Sequence, residues 1–199
     1  MSKAVLISIK PKWCEKIIND DKTIEVRKTR PKLHTPFKCY IYCTLQGCNE
    51  FFRVCLGRDV AKWNRGKWAD RKGKVIGEFT CDRIFPINVF DNGSIQNWCF
   101  EHMERSCLTY EELAGYIGNG KTGYGWHITD LRIYDVPREL REFWFPPEKY
   151  CVKELCGDCP HDQVADISCD YDSDCQWRRP LRRPPQSWCY VEEVCDEHC

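Results

Sequence analysis

The chain has 199 residues, and its 30 lysines and arginines balance its 30 aspartates and glutamates. A chain of this length can bury one sizeable core, so we expect one domain with elaborations or a domain with a small appendage. The zero net charge excludes a global field that would mark a nucleic-acid or membrane partner, although a balanced total can conceal local basic clusters.

No segment has the pattern of a targeting or membrane-spanning sequence. The apolar run 4–9 lies between Lys3 and Lys10 and is too short for a signal peptide, and no later run approaches the ~20 residues of a membrane span. We therefore expect a soluble, cytoplasmic protein without a membrane partner. In such a compartment cysteines are more often free thiols or metal ligands than disulfides.

Three short elements open the chain. The apolar run 4–9 predicts a strand. Residues 11–18 carry apolar side chains at helical spacing, and Pro11 suits the first turn of a helix. A charged, strand-like segment follows at 21–28.

Lys22, Glu25 and Arg27 are the candidate ligand-binding or catalytic residues of this charged segment. Because side chains alternate between the faces of a strand, Glu25 and Arg27 lie on one face. The turn at Asp20-Asp21 can swing Lys22 toward them, so we expect all three to line one cleft with Lys22 at its rim. Such a group can bind a polar ligand or tune a proton-transfer group. The alternative is a solvated strand face with a surface ion pair.

A basic segment interleaved with aromatic residues occupies about 46–72. Nucleobases could stack on its rings while its cations contact phosphates. An inserted hairpin or helix with its own small aromatic core is the alternative. The candidate nucleic-acid contacts in this segment are Trp63, Arg65, Lys67, Trp68 and Arg71.

The middle of the chain combines strands with two short helices. Residues 74–89 have a strand-like apolar pattern, and residues 95–105 predict a helix. Thr109 and Glu112 have capping-box spacing and predict the start of a second helix. Residues 118–125 contain four glycines, so we expect a flexible loop beside the site.

His127 lies in a strand that opens near Tyr124. Alternation places Trp126 and Ile128 on one face of this strand and His127 on the other. A lone histidine on a strand is either a satisfied structural residue or a catalytic one.

The order of helix, turn and charged strand resembles the start of an ASCH domain, a family of the PUA-like barrel superfamily. Its hallmark is a Gly-x-Lys-x-x-Glu-x-Arg-like turn and strand. Lys22, Glu25 and Arg27 match it, while Asp20 or Asp21 replaces the glycine. The resemblance extends to segments 73–80 and 123–128 and covers roughly residues 3–145. It implies a PUA-like open barrel of the bacterial or phage type.

The resemblance also implies two functions. Similar proteins bind RNA or modified nucleosides beside the charged strand, so RNA or a nucleotide is the favoured partner, and His127 would lie near this cleft. Small bacterial ASCH proteins instead hydrolyse N4-acetylcytidine with a lysine, a threonine three residues on, and a glutamate. Lys22 matches that lysine and Glu104 lies in the region of the glutamate, but Glu25 occupies the threonine position. An amidohydrolase is therefore the alternative to a binding module.

The C-terminal quarter has a different composition, because half of the 16 cysteines fall within residues 151–199. The spacing of Cys156 and Cys159 lets two sulfurs bind one zinc ion, and Cys169 and Cys175 follow within reach of a small knuckle. Four thiolates leave no open position for water, so we expect the zinc to be structural. Free or oxidisable thiols are the alternative.

A second basic cluster precedes the end of the chain and is formed by Arg178, Arg179, Arg182 and Arg183. The following segment, 187–191, is strand-like and could return to the barrel.

Together these patterns indicate an α+β protein that is mostly β with short helices. The open-barrel topology is what the resemblance implies. We expect residues 1–147 to form the barrel, with a basic insertion at about 46–72. Residues 148–199 would form a cysteine-rich extension that binds zinc and packs on the barrel.

Overall fold

Strands dominate the computed structural model of the protein, which describes residues 2–45, 71–146 and 180–194. The strands are β1 Lys3–Ile9, β2 Ile24–Arg27, β3 Phe37–Cys43, β4 Val75–Cys81, β5 Ile84–Val89, β6 Ile95–Gln96, β7 Lys121–His127, β8 Thr129–Arg138 and β9 Trp188–Glu192. The helices are α1 Pro11–Ile18, α2 Phe100–Ser106 and α3 Tyr110–Ile117, with a 3-10 helix at Leu140–Glu142. None of the helices in these ranges is long and apolar enough to cross a membrane.

The strands form two sheets, and neither closes on itself. The first sheet has the order β8-β4-β3-β1-β9, and the second has the order β2-β7-β5-β6. Only β1 and β3 pair in parallel within these described sheets. This arrangement confirms the expected class, a mostly β, α+β protein with short helices.

β1 is an interior strand of the first sheet, because β3 and β9 flank it on both sides. It is buried on both faces from Ala4 to Ile9, which explains why every residue of this run except Ser8 is apolar. The strand-like segment near the C-terminus does return to the barrel, since β9 pairs antiparallel with β1.

The core lies in three layers. Val5 and Ile7 point to one side of the first sheet and pack in a cluster with Trp126 of the second sheet. Leu6 points to the opposite side, where it joins a cluster with Phe143. The outer face of the second sheet packs against α2 and α3. One face of β2 and β7 therefore lies between the two sheets, and the other lies under the helices.

Two sequence predictions for the middle of the chain are wrong. The glycine-rich segment is not a loop from 118 to 125, because β7 begins at Lys121. A Cβ on Gly123 would come within 2.6 Å of Ile117, and one on Gly125 within 2.6 Å of Trp98. These glycines allow the helical layer to approach the sheet closely.

The predicted helix over 95–105 is also shorter than expected. Ile95 pairs with Val89 across a turn and belongs to β6, and the helix starts only at Phe100. The second predicted helix is confirmed, because Thr109 and Glu112 form both hydrogen bonds of the capping box at the start of α3.

Candidate functional site

Lys22, Glu25 and Arg27 meet in one buried cluster. The Lys22 Nζ lies 3.3 Å from Glu25 Oε2, and an Arg27 terminal nitrogen, Nη2, lies 2.9 Å from Glu25 Oε1. The three residues are 2, 5 and 7% exposed. The expectation of a surface ion pair is therefore excluded. The prediction that Lys22 lies at a rim is wrong, because it is the most buried of the three.

A tight turn carries Lys22 into this position. Asp20 adopts a left-handed conformation with φ of 62°, which aspartate tolerates better than most residues. It occupies the position of the glycine in the Gly-x-Lys pattern, so the replacement preserves a left-handed turn. The backbone N–H of Lys22 then donates to the Lys16 carbonyl at the end of α1.

The ammonium of Lys22 has a full set of acceptors. It donates to the carbonyls of Ile24 at 2.8 Å and Ser106 at 2.6 Å, and it contacts Glu25. An ammonium has three protons to donate, so no donor is left over. Burial lowers the pKa of Lys22, and the neighbouring Glu25 carboxylate opposes that shift.

Arg27 connects three segments of the chain. Its Nη2 donates to the Ser8 carbonyl of β1 at 2.7 Å, and its Nη1 lies 3.5 Å from Ser187 Oγ just before β9. Its Nε is buried and has no hydrogen-bond partner among the described residues. The cluster thus contains two cations and one anion, and the Nε–H of its guanidinium has no partner among the described residues.

His127 does not join the cluster. It pairs with Ile24 in the β2–β7 register, whereas Glu25 pairs with Trp126. Directly opposed residues share a face, so His127 lies on the helix side and Glu25 on the side between the sheets. The Nδ1 of His127 instead lies 2.7 Å from Asp82 Oδ1.

Glu104 lines a separate cavity of about 390 Å³ near the start of β2. Asp20, Asp21, Thr23 and Arg105 also line it. The Thr23 hydroxyl oxygen is buried and has no hydrogen-bond partner among the described residues.

The remaining candidates are mostly outside the described residues. These are Trp63, Arg65, Lys67, Trp68, Arg178 and Arg179, together with the metal candidates Cys156, Cys159, Cys169 and Cys175. Arg71 is partly buried, and Arg182 and Arg183 are exposed. Within 2–45, 71–146 and 180–194, no group of three or more metal-binding side chains comes together.

Sequence reasoning missed several partners of the candidate site residues. Ser8 and Ser106 contribute backbone carbonyls, which carry no side-chain signal. Asp82 lies 45 residues from His127 along the chain. The sequence does contain one signal of a positively charged surface beside the cluster: residues 27–32 include four cations and no acid.

Comparison with known proteins finds the fold but no close relative. No protein-family model matches the chain, and no curated protein matches it. The ASCH protein of Zymomonas mobilis is similar in structure, with 17% identity and a TM-score of 0.50, over 96% of this chain and 88% of that one. A serine-to-alanine mutant of the same protein matches at 16% identity and a TM-score of 0.52, over 96% and 89%.

The two open sheets with their short helices therefore share the fold of that ASCH protein. This is the fold that the resemblance around Lys22 implied. Sequence identities this low show that the folds are alike, but they give no information about activity.

Proposed function

We propose that the protein binds RNA or a modified nucleotide through the cleft beside β2. One observation carries the proposal: the Arg27 Nε, in a buried cluster of two cations and one anion, has no hydrogen-bond partner among the described residues. A buried N–H without a partner costs free energy unless an acceptor reaches it. A phosphate oxygen or a base carbonyl supplies such an acceptor, and guanidinium groups bind both well.

The neighbours of Arg27 support the same proposal. Ser187 reaches its guanidinium from the edge of β9. Tyr116, which is 39% exposed, has its pKa raised by burial, and the Arg27 charge opposes that shift. A polar residue and an aromatic residue thus border the guanidinium, and an aromatic ring beside a cation suits a nucleotide.

The test is binding of a fluorescein-labelled, mixed-sequence 15-nucleotide RNA to Arg27→Gln. Loss of one charge-assisted contact costs roughly 1.5–3 kcal/mol, so affinity should fall about 10-fold or more. Arg141→Gln is the matched control. Arg141 is exposed on the 3-10 helix, which packs on the face of the first sheet that points away from the buried cluster. A folded Arg27→Gln that binds RNA like the wild type would overturn the proposal.

A second candidate is an amidohydrolase that acts on an acylated nucleoside such as N4-acetylcytidine. The observation that favours it is the cavity near the start of β2, which Thr23 and Glu104 line together. The Thr23 hydroxyl has no partner among the described residues, and Lys22 next to it has a lowered pKa because it is buried. The hydroxyl would attack the amide carbonyl carbon and pass its proton to a nearby base; the C–N bond then breaks, cytidine leaves with that proton, and water hydrolyses the acetyl ester on Thr23 to acetate.

This activity can be measured by chromatography of N4-acetylcytidine incubated with the protein. Breaking the amide bond with water yields equal amounts of cytidine and acetate. Thr23→Val and Glu104→Gln should each lower the rate at least 100-fold if these groups act as nucleophile and acid or base. Failure of the wild-type protein to release cytidine would eliminate this candidate.

A further inference from the structure

Two basic segments that are distant in sequence meet beside Arg27. Residues 27–32 and 182–190 carry six lysines and arginines and no acid. Three contacts join them: the Arg27 contact to Ser187 at 3.5 Å, a Trp188 Nε1 hydrogen bond to Thr29 Oγ1 at 3.0 Å, and a backbone Lys32 N–H bond to Tyr190 Oη at 2.7 Å. We call residues 27–32 and 182–190, with Tyr124, the composite surface.

Aromatic rings lie among these cations. Trp188 and Tyr190 make an edge-to-face contact with their ring centroids 5.4 Å apart, and the Trp188 ring lies 5.9 Å from that of the buried Trp126. The Arg30 guanidinium lies 5.7 Å from the Tyr124 ring. Trp188, Tyr190 and Tyr124 are all partly exposed. The core thus holds the inner edge of each ring in place and leaves an outer part open for stacking.

The charges of the composite surface are not neutralised within the described part of the chain. Lys28, Arg30, Lys32, Arg182 and Arg183 form no ion pair with a carboxylate there. The chain as a whole is neutral, so this concentration of positive charge is local. Like charges repel one another when they are crowded, and a polyanion relieves that repulsion.

We infer that the composite surface is the path of a single-stranded RNA whose end enters the cleft at Arg27, an inference that rests on the proposed function. Phosphates would lie on the cations of the two segments, and bases would stack on Trp188 and Tyr190. Single strands fit better than duplexes, because bases within a duplex are already stacked and cannot reach the rings. The surface adds affinity for the strand beyond the single nucleotide at Arg27.

The experiment compares two triple variants of equal charge loss. Lys28→Gln, Arg30→Gln and Arg182→Gln remove surface cations without touching the buried cluster. The control, Lys12→Gln, Lys121→Gln and Arg141→Gln, removes three exposed cations located elsewhere. Both proteins are titrated with the labelled 15-nucleotide RNA from 50 to 200 mM KCl, and with cytidine 5′-monophosphate.

We expect the surface triple to bind the RNA at least 10-fold more weakly and the slope of log K against log salt to shrink by about 2, since each phosphate contact contributes ~0.7. Its affinity for cytidine 5′-monophosphate should equal that of the control. A 15-base-pair duplex should compete more weakly than the single strand.

The outcomes separate this inference from the proposed function. If Arg27→Gln weakens RNA binding but the surface triple does not, the composite surface is wrong and the cleft stands. If the duplex competes as well as the single strand, the stacking path is wrong. If neither variant changes RNA binding, both proposals fall.

Discussion

The ammonium of Lys22 holds the buried cluster together, although burying its charge costs free energy. Its ammonium is nearly inaccessible to water, and burial lowers its pKa. The three acceptors around it stabilise the charged form only in part. Removing the ammonium would leave the Ile24 carbonyl, the Ser106 carbonyl and one Glu25 oxygen without a donor.

We therefore expect Lys22→Met to lower the free energy of unfolding by about 3 kcal/mol at neutral pH, the scale of a broken buried ion pair. Lys28→Met, which changes an exposed lysine directly after β2, should change it by less than about 0.5 kcal/mol. Urea denaturation of the three proteins measures both. Equal stability of the Lys22 and Lys28 variants would contradict the buried cluster.

The same lysine predicts a pH dependence with a definite sign. Because its pKa is lower in the folded protein, the unfolded chain holds this proton up to about pH 10.4 while the folded chain has begun to release it. The stability of the wild type should therefore rise relative to Lys22→Met as the pH approaches about 10.4. A difference that shrinks over this range would mean that the folded state favours the charged lysine.

Residue-level reasoning found the cluster but placed His127 wrongly relative to it. Strand alternation was enough to put Glu25 and Arg27 together. The face on which His127 lies depends on the register of β2 and β7, because a shift of one residue moves each side chain of the strand to the other face of the sheet. The sequence contains no signal for the register of β2 on β7, which the structure fixes at Ile24 with His127.

At the scale of elements, β7 was the hardest to predict, because its glycines look like a loop. Gly125 lets the Trp98 ring cover the sheet, and an added Cβ would lie 2.6 Å from that ring. The reason for these glycines lies in the tertiary structure, because only the close position of the helical layer explains why this strand contains glycine. Elements with local signals, such as the capped α3 and the apolar β1, were predictable.

A pair of alanine substitutions tests this explanation. Gly125→Ala should destabilise the protein by about 1–3 kcal/mol, because the new methyl group overpacks the contact with Trp98. Gly115→Ala, in the interior of α3 with nothing within 4 Å of the added atom, should stabilise it by roughly 0.5–1 kcal/mol. Thermal unfolding resolves the opposite signs. Two shifts of the same sign would show that packing at Trp98 does not decide the effect.

At the scale of the whole molecule, the expected zinc site stays a prediction, because Cys156, Cys159, Cys169 and Cys175 lie outside the described residues. We propose that residues 148–199 hold one structural zinc ion. A segment with few apolar residues cannot offset its ordering entropy alone, and metal binding would supply that free energy.

Elemental analysis of protein purified without chelator should find about one zinc per chain. Replacing Cys156 and Cys159 by serine should remove it, while serine at Cys39 and Cys81, which are buried in the core, should leave the zinc in place. Disulfides among the four candidate cysteines, with no metal, would refute the proposal.

The pairing of β9 with β1 determines when the first sheet can be completed during translation. β1 ends at Ile9 and β9 at Glu192, so at ~5–20 residues per second the two are made roughly 10–40 s apart. Until then one edge of β1 is open, and Arg27 has no Ser187 beside it. The composite surface is therefore complete only when the chain has been translated through β9. A prematurely terminated copy would lack one of its two basic segments and should not compete for RNA with the finished protein.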